Sequence, residues 1–194
     1  YPLWTDAFVF GQSGVDGEPP LEVIGVHASW LDVDCRARRA ITYLPDEVDD
    51  AAATIGWVEH AGRVGMGLPG DLRSEEANET AVETVVERFG GLDILINNAG
   101  ILRDRAFFNM SEDEWDAVIT VHLKGHAAPS RHAMAYWRTE SKAGRSRSAS
   151  VIHTTSSSGL CGNFGQVNYG AAKMGIVGLS KVLSIEGLKY GVRS

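Results

Sequence analysis

Short apolar runs alternate with helical stretches over the last four fifths of the chain, and this alternation limits the fold more than any other feature. Strands are predicted at 40–45, 64–68, 92–96 and 151–155. Between them apolar residues recur at helical spacing, as in the stripe Ala77, Ala81, Val82, Val85, Val86 and Phe89. The pattern predicts an α/β protein with a doubly wound parallel sheet of the Rossmann-like type. The sheet is expected to be truncated, because the chain stops near the start of a further strand at Tyr190.

The composition is that of an ordinary soluble globular protein. The chain has 194 residues, of which 44% are hydrophobic and 22% charged, enough for one domain with a core. A net charge of -7 without a basic block argues against a nucleic-acid partner. No apolar run is long enough for a membrane span, and no signal-peptide pattern is present, so we expect a cytoplasmic protein with no membrane partner. Cys35 and Cys161 lack the spacing of metal ligands or of a disulfide framework.

Residues 156–173 carry the strongest functional signal. A hydroxyl-rich strand end at Ser156 is followed by a glycine-broken loop and by a helix of small residues, in which Tyr169 and Lys173 stand four positions apart. Two such side chains lie on one face of a helix. A nearby ammonium lowers the pKa of a phenol from its usual value of about 10, which would let Tyr169 exchange a proton with a substrate oxygen held by Ser156. Taken alone, the pair is better explained by a surface tyrosine one turn from a solvated lysine.

The surroundings of this pair favour the functional interpretation. Asn97-Asn98-Ala99-Gly100 closes the apolar run at 92–96, and the stretch from Ser to Tyr follows another apolar run. Together these residues resemble the short-chain dehydrogenase/reductase family, over roughly four fifths of the chain. The resemblance implies an oxidoreductase that transfers a hydride between NAD(P) and a secondary alcohol or ketone.

The resemblance also implies roles for individual residues. Ser156, Tyr169 and Lys173 would be catalytic, and Lys173 would also hold the nicotinamide ribose. The cofactor-binding residues it implies are Asp71, Leu72, Asn97, Ala99, Gly100, Tyr169 and Lys173. For Asp71, an acid in a turn that leads a helix is an equally good explanation.

His122 departs from the family, which usually has Asn at this position, bending the helix and holding a water in a proton relay. A neutral imidazole can both donate and accept, so His122 is expected to be catalytic by continuing the relay. The residues at 97–105, 121–125 and 162–166 are similar to the hydroxyacyl-CoA dehydrogenase part of peroxisomal multifunctional enzyme type 2 and its bacterial relatives. This similarity suggests a 3-hydroxyacyl thioester, or a related alcohol–ketone pair, as substrate.

The helix around His122 has two further features. His122 and His126 stand four apart with His132 nearby, but no third ligand has useful spacing, so no metal is predicted. Pro129 is expected to kink the helix near Gly125, because it lacks the N–H of a helical residue. The polar stretch at 139–148 is expected to be a surface loop.

The first 39 residues do not fit the family pattern. The family opens with a strand and the turn Thr-Gly-x-x-x-Gly-x-Gly, which presents backbone N–H groups to the pyrophosphate. The nearest candidate, at 11–17, has its middle glycine one place off and puts Asp16 where phosphate should lie. A turn in a partly disordered segment explains it more simply. We therefore divide the chain into an atypical N-terminal segment, 1–39, and an incomplete Rossmann-like short-chain dehydrogenase/reductase domain, 40–194.

The choice between NAD and NADP depends on the end of the strand at 40–45. NAD-preferring proteins place an acid there for the ribose hydroxyls. None lies at that point; Asp46 and Glu47 follow Pro45. The sequence therefore favours NADP slightly.

A second hypothesis belongs to another class of function. The missing glycine turn and the missing last strands of the family fit an inactive dehydrogenase-like fragment that serves as an oligomerising or binding module. The family commonly forms dimers through the helices that here carry Trp115 to Trp137 and Tyr169 to Leu188. A homodimer or homotetramer is therefore expected under either hypothesis.

Overall fold

Strands and helices alternate along the chain, as the apolar pattern predicts. The structure is a computed structural model that describes residues 7–8, 22–24, 38–44 and 47–194. The strands are β1 (Ala7–Phe8), β2 (Glu22–Ile24), β3 (Arg38–Tyr43), β4 (Val64–Pro69), β5 (Ile94–Asn97), β6 (Ala149–His153) and β7 (Val192–Arg193). The helices are α1 (Val48–His60), α2 (Glu75–Phe89), α3 (Glu112–Ile119), α4 (Gly125–Lys142), α5 (Ser157–Cys161) and α6 (Val167–Gly187). The candidate glycine turn at 11–17 lies outside the described residues.

Parallel pairings join six of these strands in the order β4-β3-β2-β5-β6-β7. The two-residue strand β1 pairs antiparallel with both β3 and β5. Since β2 lies between β3 and β5, the strand order reverses there, and ligands bind at the carboxyl ends of the strands around such a reversal. The predicted doubly wound sheet is confirmed.

The helix boundaries follow from capping residues. The Ser74 hydroxyl accepts a hydrogen bond from the Ala77 N–H at 3.3 Å, and Gly90 ends α2 with a φ of 87°. Ser111 and Glu114 form the predicted capping box at the start of α3. These caps fix where α2 and α3 begin, and therefore where the loops that precede them face the sheet.

The main core packs under the middle of the sheet. It is built from buried residues of β5 and β6 and of the helices that cover them, and includes Val82, Val85, Leu92, Leu95, Trp137 and Val151. The indole of Trp137 donates to the Leu92 carbonyl at 2.6 Å, which anchors α4 next to β5. This packing holds the carboxyl ends of β5 and β6 in a fixed relation. None of the helices within the described ranges is apolar over a length that would cross a membrane.

Two local expectations need correction, and the helix around Pro129 has a further feature. The helix α4 continues to Lys142, so only the second half of the predicted 139–148 loop is a loop. Part of the predicted glycine-broken loop is the short helix α5, because the Ser156 hydroxyl caps it. The chain widens into a π-helical turn at Thr120–Lys124, just before Gly125, and the helix continues through Pro129. The proline has no N–H for the carbonyl four residues earlier, which lies next to this turn.

Candidate active site

The residues expected to be catalytic lie at the carboxyl ends of β5 and β6. Ser156 follows β6 by three residues, and Tyr169 and Lys173 occupy the first two turns of α6. His122 lies in the π-helical turn between α3 and α4. The four side chains come from three separate stretches of chain, and the sheet brings these stretches to one edge.

Lys173 is buried beside the ring of Tyr169. Its side chain is 2% exposed, and its Nζ donates to the Thr154 carbonyl at 2.6 Å. The same Nζ lies 5.6 Å from the centre of the Tyr169 ring. Burial lowers the pKa of Lys173 from its ordinary value of 10.5 to about 8. The hydroxyl of Thr155 donates to the Lys173 carbonyl at 2.8 Å, so the end of β6 holds both the head and the backbone of this lysine.

His122 packs its imidazole against Tyr169 and bonds to the loop after β5. The two rings meet edge to face with centres 5.0 Å apart. Nε2 of His122 lies 3.0 Å from the Ile101 nitrogen and 2.7 Å from the Ile101 oxygen, and Nδ1 is buried with no partner among the described atoms. Burial, followed by the charge of Lys173, lowers the pKa of His122 to about 4, so the ring is neutral. Gly100 is required here, since a Cβ at that position would lie 2.5 Å from Cε1 of His122.

Ser156 is half-buried where β6 ends and α5 begins. Its Oγ accepts a hydrogen bond from the Ser158 N–H at 3.2 Å. That contact uses a lone pair and leaves the hydroxyl proton available for a second partner. Ser156 can therefore cap the helix and donate to a ligand oxygen at the same time.

A cleft of about 160 Å³ lies next to these residues, at the carboxyl ends of β3 and β4. Of the cofactor residues implied by resemblance, Asp71, Leu72 and Ala99 line it. Asp71 forms a two-pronged ion pair with Arg73, which keeps the pKa of the Asp71 carboxyl below its ordinary value. The wall is largely apolar and carries a few charged groups, as small-molecule sites generally do.

Four of the implied cofactor residues do not line this cleft: Tyr169 and Lys173, described above, and Asn97 and Gly100. Asn97 is buried, and its Nδ2 donates to the Ser130 hydroxyl at 2.9 Å and to the His126 carbonyl at 3.3 Å. Gly100 gives room to His122 instead. Both residues support the site from below its surface.

A stacked pair of histidines, the buried His126 and the half-buried His153, lies beneath the site. The only local pattern that points to it is the spacing of His122 and His126. His126 and His153 stack with Nδ1 atoms 3.3 Å apart, and the Asn97 amide lies 3.4 Å from Nδ1 of His153. Burial, followed by the charge of Lys173, lowers the pKa of both rings, that of His153 to about 4. The described residues contain no group of three side chains arranged to hold a metal ion.

Comparisons with known proteins agree on one family. The family model for short chain dehydrogenases matches residues 38–194. Hydroxyacyl-CoA dehydrogenase ChsB1 of Mycobacterium tuberculosis is 44% identical over 149 residues, which cover 76% of this chain and 45% of that protein. Peroxisomal hydratase-dehydrogenase-epimerase of Neurospora crassa is 50% identical over 121 residues, covering 62% of this chain and 13% of that protein. The chain thus spans less than half the length of either relative.

Solved structures show the same relationship. A short chain dehydrogenase from Mycobacterium avium superposes with a TM-score of 0.77 at 43% identity, covering 80% of this chain and 58% of that one. A short chain dehydrogenase from Burkholderia cenocepacia in complex with NADP superposes with a TM-score of 0.71 at 28% identity, covering 80% and 60%. With the family model spanning residues 38–194, the chain belongs to the short-chain dehydrogenase/reductase family of oxidoreductases.

Proposed function

We propose that this chain transfers a hydride between NAD(P) and a secondary alcohol or ketone. The observation that carries the proposal is the buried ammonium of Lys173, held 5.6 Å from the ring of Tyr169 at the carboxyl edge of the sheet. When bound, the nicotinamide would supply or take up the hydride. The side chains would position the substrate oxygen and move its proton.

Each of the four catalytic candidates has a separate task in this proposal. Tyr169 gives a proton to the ketone oxygen, or takes one from the alcohol, while the charge of Lys173 stabilises the phenolate. Ser156 donates its free hydroxyl proton to the same oxygen. Neutral His122 packs edge to face against the Tyr169 ring and so helps to position it. The buried Nδ1 of His122 can form a hydrogen bond with a water of the proton relay.

The cleft suits the adenosine half of the cofactor. Asp71 and Leu72 would meet the adenine ring, Ala99 and Gly100 would allow close approach, and Asn97 would brace the strand end beneath them. Lys173 and Tyr169 would contact the nicotinamide ribose. The fit is supported by the cleft's position at the carboxyl ends of β3 and β4, where the strand order of a doubly wound sheet places a dinucleotide.

The preference between the two nucleotides remains a proposal. Arg103 lines the cleft and favours the extra phosphate of NADP, as the sequence does slightly, whereas the charge of Arg73 is paired with Asp71. Glu47 acts in the opposite direction, because its carboxylate accepts a hydrogen bond from the Leu44 N–H at 3.1 Å and so lies at the end of β3. We keep NADP as the expected cofactor.

For the substrate we propose a 3-hydroxyacyl thioester. The named activity of the Mycobacterium tuberculosis relative, a hydroxyacyl-CoA dehydrogenase, supports this class. Phe107, Phe108 and Phe164 support it as well, since they are 67%, 86% and 89% exposed. The first two lie in the 3-10 turn Phe107–Asn109, and Phe164 lies in the loop before α6. Exposed apolar side chains next to a catalytic site suit an acyl chain.

We further propose a homodimer or homotetramer in the cytoplasm, with residues 40–194 as the dehydrogenase domain and 1–39 as a separate segment. Support for the oligomer comes from α6, whose exposed residues include a stripe of apolar or small side chains, Val167, Ala171, Met174, Gly178, Val182 and Ile185. This spacing follows one face of the helix. The alternative of an inactive fragment gains no support from the comparisons.

A thermal melt of the whole chain with saturating NADH or NADPH tests the proposal. A ligand at a hundred times its Kd stabilises by about 2.7 kcal/mol, which raises the Tm of a domain of this size by several degrees. We expect a larger rise with NADPH, and turnover of a 3-oxoacyl thioester with the same nucleotide. A cooperative melt that neither nucleotide shifts, together with no turnover, would favour the inactive module.

A further inference from the structure

The residue directly before Tyr169 connects α6 to the loop after β5. Asn168 is fully buried. Its Nδ2 donates to the carbonyls of Arg103 and Glu114, each at 3.1 Å, and its Oδ1 accepts from the Tyr169 N–H at 2.7 Å. This one amide therefore fixes the backbone of Tyr169 relative to both the loop and α3.

A second amide lies two residues earlier and joins the same loop to α5. Gln166 is 9% exposed, and its Nε2 donates to Oδ2 of Asp104 at 2.8 Å. Its Oε1 accepts from the Ser158 hydroxyl at 2.9 Å and from the Asn163 amide at 3.0 Å. Ser158 belongs to the helix that Ser156 caps, so Gln166 links that helix to the loop.

A backbone hydrogen bond also joins the loop after β5 to the segment just before α6. The Arg105 N–H donates to the Gly165 carbonyl at 2.8 Å. Gly165 has a φ of 79°, a conformation that favours glycine. The Arg105 guanidinium is committed to Glu114 at 2.7 Å, which leaves the Gln166 amide as the neighbour that Asp104 contacts. We call Gln166, Asn168 and Asp104 the amide bridge.

We propose that the amide bridge is a positioning device that sets Tyr169 against Lys173 and Ser156. Lys173 has its own anchors at the end of β6, through Thr154 and Thr155. At the start of α6, by contrast, the side chain of the N-cap residue Gln166 makes no capping hydrogen bond, and the Tyr169 N–H is held by Asn168 of the bridge. Opening the bridge would therefore displace Tyr169 and leave Lys173 in place. The proposal rests on the proposed function, in which Tyr169 exchanges the proton.

A role for the Gly162–Gln166 stretch follows. This stretch belongs to the similarity with hydroxyacyl-CoA dehydrogenases, and its sequence alone indicates no chemical role. Its glycines permit the turns at Gly162 and Gly165, both with positive φ. Its amide side chains then reach Asp104 and each other. Gln166 and Asn168 were not predicted as site residues, because their partners lie about 60 positions away in the sequence.

A charge exchange across the bridge tests the proposal. Gln166→Glu places a carboxylate against Asp104, and the two like charges should push the bridge open. The double change Gln166→Glu with Asp104→Asn restores a donor opposite an acceptor. Asp104→Asn alone is the matched control, because its amide oxygen can still accept from Gln166. We expect Gln166→Glu to lower kcat about tenfold or more with little change in KM, and the double variant to recover most of it.

A second readout does not depend on turnover. In protein labelled with 13C-tyrosine, the ring signal of Tyr169 is assigned by its absence in Tyr169→Phe. It should shift in Gln166→Glu, because the ring moves relative to the His122 ring that it meets edge to face, and return in the double variant. Identical spectra and identical kcat in all variants would overturn the proposal, as would a double variant that regains Tm but neither kcat nor the original Tyr169 signal. If the unchanged chain shows no turnover, the proposed function fails, and the Tyr169 signal alone decides the bridge.

Discussion

At the scale of single residues, Tyr169 is the group whose loss should separate chemistry from folding. Tyr169→Phe removes the hydroxyl that exchanges the proton and keeps the ring that packs against His122. We expect turnover to fall by about 10²–10⁴-fold, the usual contribution of general acid–base catalysis, with an unchanged Tm. Tyr190→Phe is the control, and its turnover should match that of the unchanged chain. Equal turnover in Tyr169→Phe would contradict the mechanism.

Gly100 makes a second prediction at this scale. Gly100→Ala places a Cβ 2.5 Å from His122, whose ring must then shift, and overpacking of this kind costs about 1–3 kcal/mol. Gly56→Ala is the control, since a Cβ there meets nothing within 4 Å and helix propensity favours alanine. Urea unfolding should show a loss for the first variant and none for the second. Adding His122→Asn to Gly100→Ala should recover stability; a further loss would mean that the His122 ring is not the obstacle.

At the scale of elements, the two opposite faces of α6 have different roles. One face carries Tyr169 and Lys173, and the other leaves the apolar stripe exposed. Ile185, which is 76% exposed, lies far along the helix from the catalytic pair. We expect Ile185→Glu to shift the mass measured by light scattering towards the monomer, because a carboxylate would have to be buried in the interface. Glu186→Gln is the neighbouring control, and an unchanged mass in both variants would place the interface elsewhere.

Across the whole molecule, the sequence allowed prediction of the features that depend on local pattern. The strand and helix alternation predicted the sheet, and Ser111 with Glu114 predicted the start of α3, since both signals lie within a few residues. The contacts of Gln166 with Asp104, and the stacking of His126 on His153, depend on which strands become neighbours. No local pattern contains that information, so the supports of the site emerge only from the fold.

Two histidines near the site, the buried His122 and the half-buried His153, give the whole molecule a predicted response to acid. Burial lowers the pKa of His122 and of His153 from 6.5 to about 4. Between these two pH values the rings are protonated in the unfolded chain and neutral in the folded chain. The free energy of unfolding should therefore fall as pH drops below 6.5, by roughly 3 kcal/mol per ring once pH reaches about 4. Above pH 6.5 both states are neutral at these rings, and this contribution vanishes.

Urea unfolding between pH 7.5 and 4.5 measures the effect, and His153→Gln isolates the share of one ring. The amide cannot take up a proton, so this variant should lose less stability than the unchanged chain over the same interval, even if it is less stable at pH 7.5. His60→Gln is the control, because His60 is exposed at the end of α1 and its replacement should leave the slope unchanged. Equal slopes in all three proteins would show that His153 takes up its proton as readily in the folded chain as in the unfolded one. In that case water would have to reach the surroundings of His153 and Lys173, and burial would no longer explain a lowered pKa of the lysine.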